Sequence, residues 1–196
     1  MKKTDIILLA AGDSRRYGED NKLLAVVDGK AMFTYAVDMA VKVRQRQRDQ
    51  VGTIVVVSKY REIKDYVTAQ KKEFLLYQQN DHSERGISES IHIGVAATDQ
   101  GHDAVFCVCD QPRMKVETVC RLIQEFAGSG KKAGVVTDEE GNQGNPCIFA
   151  SSMRQELLTI TGDTGGKKLI HKLPPNACLY VKAEKTELED IDVQKK

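Results

Sequence analysis

Apolar residues cluster in short uninterrupted runs: TDIILLAA at the start, then GTIVVVS (Gly52 to Ser58), FLLYQ, DAVFCVCD (Asp103 to Asp110), KAGVVT, GNPCIFA (Gly144 to Ala150) and ACLYVKA. Runs of this length, rich in β-branched residues and bounded by glycine or polar residues, predict buried strands. Pro146 falls early in its run, which suits an edge strand or a strand start. Between the runs the period changes. AMFTYAVDMAVKV places Met32, Phe33, Tyr35, Ala36, Val37, Met39, Ala40 and Val43 on a helical stripe. EIKDYVTAQKKE and ISESIHIGVAAT read as helices. So does VETVCRLIQEFAGSG, with Val116, Val119, Leu122, Ile123 and Phe126 on one face and a glycine stop. SSMRQELLTI opens with serines able to cap a helix, and GGKKLIHKL is a last short one.

Continuous apolar strands alternating with helices predict an α/β fold with a mostly parallel sheet covered on both faces. No internal repeat or long linker interrupts the pattern. The polar segment DEEGNQG (Asp138 to Gly144) reads as a mobile turn near the active face and not as a boundary, so residues 1–196 read as a single domain.

Composition narrows the function. A hydrophobic content of 41% with 29% charged residues is that of a soluble globular domain, and a net charge of +1 argues against nucleic-acid or membrane-surface partners. The basic run KVRQRQRD (Lys42 to Asp49) reads as a solvated helix end. Five cysteines fit no zinc or redox spacing. Cys107 and Cys109 share one face of a strand and read as buried thiols, which points to a reducing, cytoplasmic setting. The first apolar run is too short for a signal peptide or a membrane span. The four histidines show no ligand spacing, and no G-x-S-x-G elbow is present.

The chemistry concentrates at strand ends, where open α/β sheets bind ligands. Directly after the first run comes LLAAGDSRRYGEDNKLL (Leu8 to Leu24). Gly12 and Gly18 permit close backbone approach, backbone N–H groups of such a loop cradle phosphate oxygens, and Arg15, Arg16 and Lys22 supply the charge a triphosphate needs. The spacing matches neither G-x-x-x-x-G-K-[ST] nor G-x-G-x-x-G. A solvated, charged turn is the competing reading. Asp110, in CVCDQP, is placed to hold Mg²⁺ or to cap a helix. Asp163, in TGDTGG, is a second metal carboxylate or another cap. The RGISES segment (Arg85 to Ser90) offers free N–H groups to an anion or a base edge, or is simply a capped helix start.

Together these pieces resemble the nucleotidyltransferase family that includes molybdenum cofactor cytidylyltransferase. That family opens with L-A-A-G-x-S-x-R-x-G-x-x-x-K, matched here by Leu9, Ala10, Ala11, Gly12, Ser14, Arg16, Gly18 and Lys22. A glycine-serine segment (Gly86 to Ser90), Asp110-Gln111-Pro112, Gly144-Asn145-Pro146 and Gly162-Asp163-Thr164-Gly165 follow in the family's order. The resemblance covers nearly the whole chain. It implies a three-layer α/β/α, Rossmann-like domain of the glycosyltransferase-A-like kind. It also implies transfer of a nucleotidyl group, CMP from CTP, to a phosphorylated acceptor of the molybdopterin type, with release of pyrophosphate.

On this reading Leu9 to Gly18 would meet the triphosphate and base edge. Arg16 and Lys22 would neutralise phosphates, with Asp110 as the third catalytic residue. Asp110 and Asp163 would hold Mg²⁺, and Gly86, Ile87 and Ser88 would lie near base or ribose. Ala11, where the guanylyl branch tends to glycine, favours CTP. Cys109, His92, Lys167 and the DIDVQKK segment depart from the family pattern. Those departures leave open an accessory protein serving a molybdenum hydroxylase, or transfer to a sugar or polyol phosphate.

Overall fold

The computed structural model describes residues 2–12 and 21–191. Chain order is β1 (Thr4–Leu9), β2 (Val26–Val27), β3 (Lys30–Ala31), α1 (Met32–Arg46), β4 (Val51–Ser58), α2 (Arg61–Ala69), β5 (Leu75–Gln79), α3 (Ile87–Ala96), β6 (Asp103–Val108), α4 (Val116–Phe126), β7 (Ala133–Thr137), β8 (Gln143–Phe149), α5 (Arg154–Leu157), α6 (Lys167–Ile170) and β9 (Cys178–Lys182). Seven strands form one sheet in the order β5-β4-β1-β6-β8-β7-β9. Only β8 runs against its neighbours, so the sheet is mostly parallel, as the apolar runs predict. β2 and β3 pair separately as a small hairpin.

The period of two along each central strand divides the core. Ile6, Leu8, Ile54 and Val56 face one layer with α1, α2 and α4 residues such as Val37, Ile63 and Leu122. Ile7, Val55 and Val57 face the other, against Ile91 and Val95 of α3 and Phe149 and Ile170. Helices therefore cover both faces, giving three layers. Ile6, Ile7 and Leu8 are wholly buried, and truncating any one to alanine should cost about 2–5 kcal/mol. No helix among the described residues is long and apolar enough to cross a membrane.

Three local expectations are corrected. Pro146 sits in β8, an interior strand and not an edge. It is tolerated because the pairing of β8 with β6 stops at Cys147 and its register with β7 shifts between Val135 and Thr137, so no ladder bond is required there. The serines before α5 make no capping bond. The Ser151 N–H instead donates to the buried Asp103 carboxylate at 2.8 Å. The Asp138–Gly144 turn is a bonded structure: Asp138 accepts from the Asn142 backbone and side-chain amides, both at 2.8 Å. The basic run does end α1, where Arg44 donates to Gly52 O and stacks on Phe74, and Arg46 pairs with Glu117.

At the amino-terminal edge of the sheet, Asp5 is wholly buried. Its carboxylate accepts from Thr53 N–H, Asp99 N–H and the His102 ring, and so ties β1 to β4 and to the loop before β6. This leaves the opposite, carboxyl-terminal edge for chemistry.

Candidate active site at the carboxyl edge of β1 and β6

The strand order reverses at β1, with β4 and β5 to one side and β6 to the other. Ligand crevices form at such a point, beyond the carboxyl ends of the strands. The chain leaving β1 is held down on β4. Ala10 N–H donates to Val57 O and the buried Ser58 hydroxyl to Ala10 O, each at 2.8 Å, and the Tyr60 hydroxyl donates to Gly12 O at 2.9 Å. Leu9 is half-buried, while Ala10 and Ala11 are buried, so the Ala11 methyl is covered by protein. At Gly12 a Cβ would meet nothing within 4 Å, so no described neighbour requires a glycine there. Ser14, Arg15, Arg16 and Gly18 lie outside the described residues.

The chain re-enters at a short 3₁₀ turn, Lys22–Leu24, whose start is capped by the Asn21 side chain accepting from Leu23 N–H at 3.0 Å. That cap fixes Lys22 over the sheet. Its side chain is 11% exposed, and its Nζ reaches Asp110 Oδ2 at 3.4 Å. Asp110 follows β6, and its side chain is 28% exposed. The two residues are 88 positions apart in sequence. Burial, followed by the nearby Asp190 charge, pushes the Asp110 carboxyl above the ordinary carboxylate range, and Lys22 partly opposes this.

The capping alternatives for these residues do not materialise. The helix after Asp110 is α4, whose cap position is Lys115, without a side-chain bond. The helix after Asp163 is α6, capped at Gly166, again without one. α3 starts from Gly86 with no side-chain cap. The structure does bring two of the quoted segments together. Gly86 has φ +90°, and its missing Cβ makes room for the Gly162–Asp163 backbone; Ser88 N–H donates to Gly162 O at 3.2 Å. Ile87 and Ser88 thus open α3 against the loop that carries Asp163. Behind them the wholly buried Asn80 donates to Ser90 Oγ at 2.9 Å.

Two residues at this edge were given no role from the sequence, although Gln111 stands in the D-Q-P triplet and Asp190 opens the DIDVQKK segment. Asp190 lies beside Asp110, joined to it through Ile191 N–H, which donates to Asp110 O at 3.1 Å. Gln111 is buried and donates to Asp190. The sequence cues were the D-Q-P triplet and the DIDVQKK segment. Neither says that a segment about 80 residues further on folds back over β6.

Beside this pair opens a polar cleft of about 280 Å³. Its lining includes the amides of Gln111, Asn142, Gln143 and Asn145 and the ammonium groups of Lys167 and Lys185. Lys167 Nζ is tethered to Gln143 O at 3.1 Å. Cys107, Cys109 and Cys147 are all buried, and burial raises their thiols, that of Cys147 to about 12; they contribute packing and not nucleophiles.

A cation and a carboxylate thus meet at the switch point of a mostly parallel, three-layer sheet, where α/β proteins bind their ligands. Residues 6–177 match the MobA-like NTP transferase domain, and the chain belongs to that family of nucleotidyltransferases. Its substrate is accordingly a nucleoside triphosphate. Solved structures agree on the fold. Rv0371c from Mycobacterium tuberculosis H37Rv, in complex with manganese, superposes with a TM-score of 0.72 at 19% identity, covering 100% of this chain and 94% of that one. A nucleotidyl transferase from Methanothermobacter thermautotroptrophicus gives 0.74 at 18% identity, over 98% and 93% of the two chains. The 4-diphosphocytidyl-2C-methyl-D-erythritol synthase of Anaerococcus prevotii DSM 20548 gives 0.71 at 15% identity, over 98% and 94%. No curated protein sequence matches.

Proposed function

We propose that this protein transfers CMP from CTP to a phosphorylated acceptor, of the molybdopterin type by its ordered motifs, and releases pyrophosphate. The observation that carries the reading is the 3.4 Å approach of Lys22 Nζ to Asp110 Oδ2. It unites the end of the glycine-bearing loop with the acidic end of β6 in one site. An acceptor phosphate oxygen attacks the α-phosphorus in line, and the bond to the bridging oxygen breaks with its electron pair retained by pyrophosphate. Negative charge builds on that oxygen, so fixed cations are most of the catalytic task. Lys22 is held by Asp110 at a point where it can neutralise the phosphates. Arg16 is assigned the same role, with Ser14 and Gly18 completing the loop around them. Gly12, with no described residue within 4 Å of where a Cβ would be, lets the triphosphate approach the backbone. Leu9, Ala10 and Ala11 lead the chain into that loop. Gly86, Ile87 and Ser88 are assigned to the neighbourhood of base or ribose by the glycine-serine motif they form.

The donor set suits a divalent cation. Asp110 and Asp190 are hard oxygen ligands whose mutual repulsion a cation would relieve. Asp163 is assigned to the metal by its G-D-x-G motif alone, since the described residues hold no cluster of three metal-ligating side chains. Bound there, Mg²⁺ would neutralise charge on the triphosphate. Manganese in the mycobacterial structure supports a divalent metal, and the cytidyl group in the name of the Anaerococcus enzyme supports CTP. Five free cysteines fit a reducing, cytoplasmic setting. The polar cleft, with Lys167 and Lys185, is the acceptor side, and its amide-rich lining suits a sugar or polyol phosphate as a second reading.

The test is pyrophosphate release from purified protein with Mg²⁺, each of the four triphosphates, and molybdopterin or a panel of polyol phosphates. Release with CTP and molybdopterin supports the first reading. Release only with a polyol phosphate selects the second. No release in any combination, with a stable hydroxylase complex instead, would show an accessory protein.

A further inference from the structure

We propose that Gln111 is a positioning residue: its side-chain amide holds the Asp190 carboxylate in place beside Asp110, so that both face the same ligand. The inference rests on the metal-binding reading above and adds the device that assembles the carboxylate pair. Gln111 is 6% exposed. Its Nε2 donates to Leu188 O at 2.9 Å and to Asp190 Oδ1 at 3.0 Å, which uses both amide hydrogens on one short segment. Asp190 is itself exposed, and an exposed carboxylate on a loop ordinarily samples several rotamers. A bond from a buried donor removes that freedom and leaves Oδ2 without a protein donor among the described residues.

The segment bearing Asp190 is docked by three further contacts that share this geometry. Glu187, 2% exposed, accepts from Lys115 N–H at 3.1 Å and from Glu184 N–H at 3.2 Å. Leu188 fills the space over Gly144, where a Cβ would come within 2.8 Å of it. Ile191 N–H donates to Asp110 O. Anchors on both sides of Asp190 fix the backbone, and Gln111 fixes the side chain. The same amide lines the acceptor cleft, so one residue borders both halves of the site.

The test compares Gln111→Leu, Asp190→Asn and the double variant, each checked for an unchanged circular-dichroism spectrum. Mn²⁺ binding in the presence of CTP is read by electron paramagnetic resonance of the free ion. Pyrophosphate release is followed in parallel. Removing an outer-shell partner typically weakens metal binding about 10- to 100-fold. Gln111→Leu is expected to fall in that range, and the double variant to bind no more weakly than Asp190→Asn alone, since both changes remove one contribution. Losses that multiply in the double variant would overturn the proposal, as would wild-type Mn²⁺ affinity in Gln111→Leu. Should Gln111→Leu not fold, Asp190→Asn alone decides: it keeps an acceptor for Gln111 but loses the charge, so unchanged Mn²⁺ affinity sinks the idea. A wild-type protein that neither binds Mn²⁺ nor releases pyrophosphate overturns the functional reading along with it. Normal wild-type behaviour with additive variants overturns the Gln111 role alone.

Discussion

The backbone at Gly162 passes so close to Gly86 that a Cβ on Gly86 would lie 2.4 Å from the Gly162 carbonyl carbon and 2.6 Å from Asp163 N. Gly86 also holds φ +90° with ψ near 180°, a region that is essentially glycine's alone. Gly86→Ala should therefore lose about 1–3 kcal/mol from backbone strain, before the overlap with a neighbouring main chain is counted. Urea denaturation measures it.

Gly12→Ala is the contrasting case. Its Cβ would meet none of the described residues within 4 Å, so stability should change by no more than about 0.5 kcal/mol. If a triphosphate approaches that backbone, KM for CTP rises while the denaturation midpoint stays put. A variant with unchanged KM would remove Gly12 from the nucleotide site.

Asp110→Asn should reduce pyrophosphate release by about 100-fold or more, the scale expected when one element of transition-state electrostatics is lost. The native circular-dichroism spectrum should persist, because the carboxylate caps no helix. An unaffected rate would take Asp110 out of the mechanism.

Lys167→Gln should raise KM for the acceptor about tenfold and leave KM for CTP unchanged. A charged hydrogen bond contributes about 1.5–3 kcal/mol, and Lys167 lines the cleft beside Asp190. Initial-rate kinetics with each substrate varied in turn separate the two constants.

Tyr66 offers a check on the fold away from the site. Burial first, and then the hydrogen bond and charge of Asp38, push its phenol up to about 12. Its hydroxyl donates to Asp38 at 3.0 Å, and its ring meets Phe33 edge-on. The unfolded phenol ionises near about 10. Below that value both states keep the proton and the stabilisation is complete. Between there and about 12 the unfolded chain alone gives up the proton, so stability falls as pH rises. Tyr66→Phe should flatten that part of the stability–pH curve, measured by urea midpoints across the alkaline range.

The sequence by itself determined the elements and the layers. Continuous runs such as Ile6–Leu8 and Val55–Val57 are buried on both faces, and the stripe on α4 packs its apolar side on the sheet, because hydrophobic period is a local property that burial reads directly. It also marked Lys22 and Asp110, since glycine breaks and polar strand ends are local signals. Tertiary structure alone decided that these two meet across 88 residues, that RGISES lies against TGDTGG, and that Asp190 is a carboxylate acting on Asp110. It also decided that Pro146 belongs to an interior strand, where a register shift removes the need for its missing N–H. Strand order and the return of a late segment are set by which surfaces bury each other, and that is a property of pairs of distant residues which no single window of sequence contains.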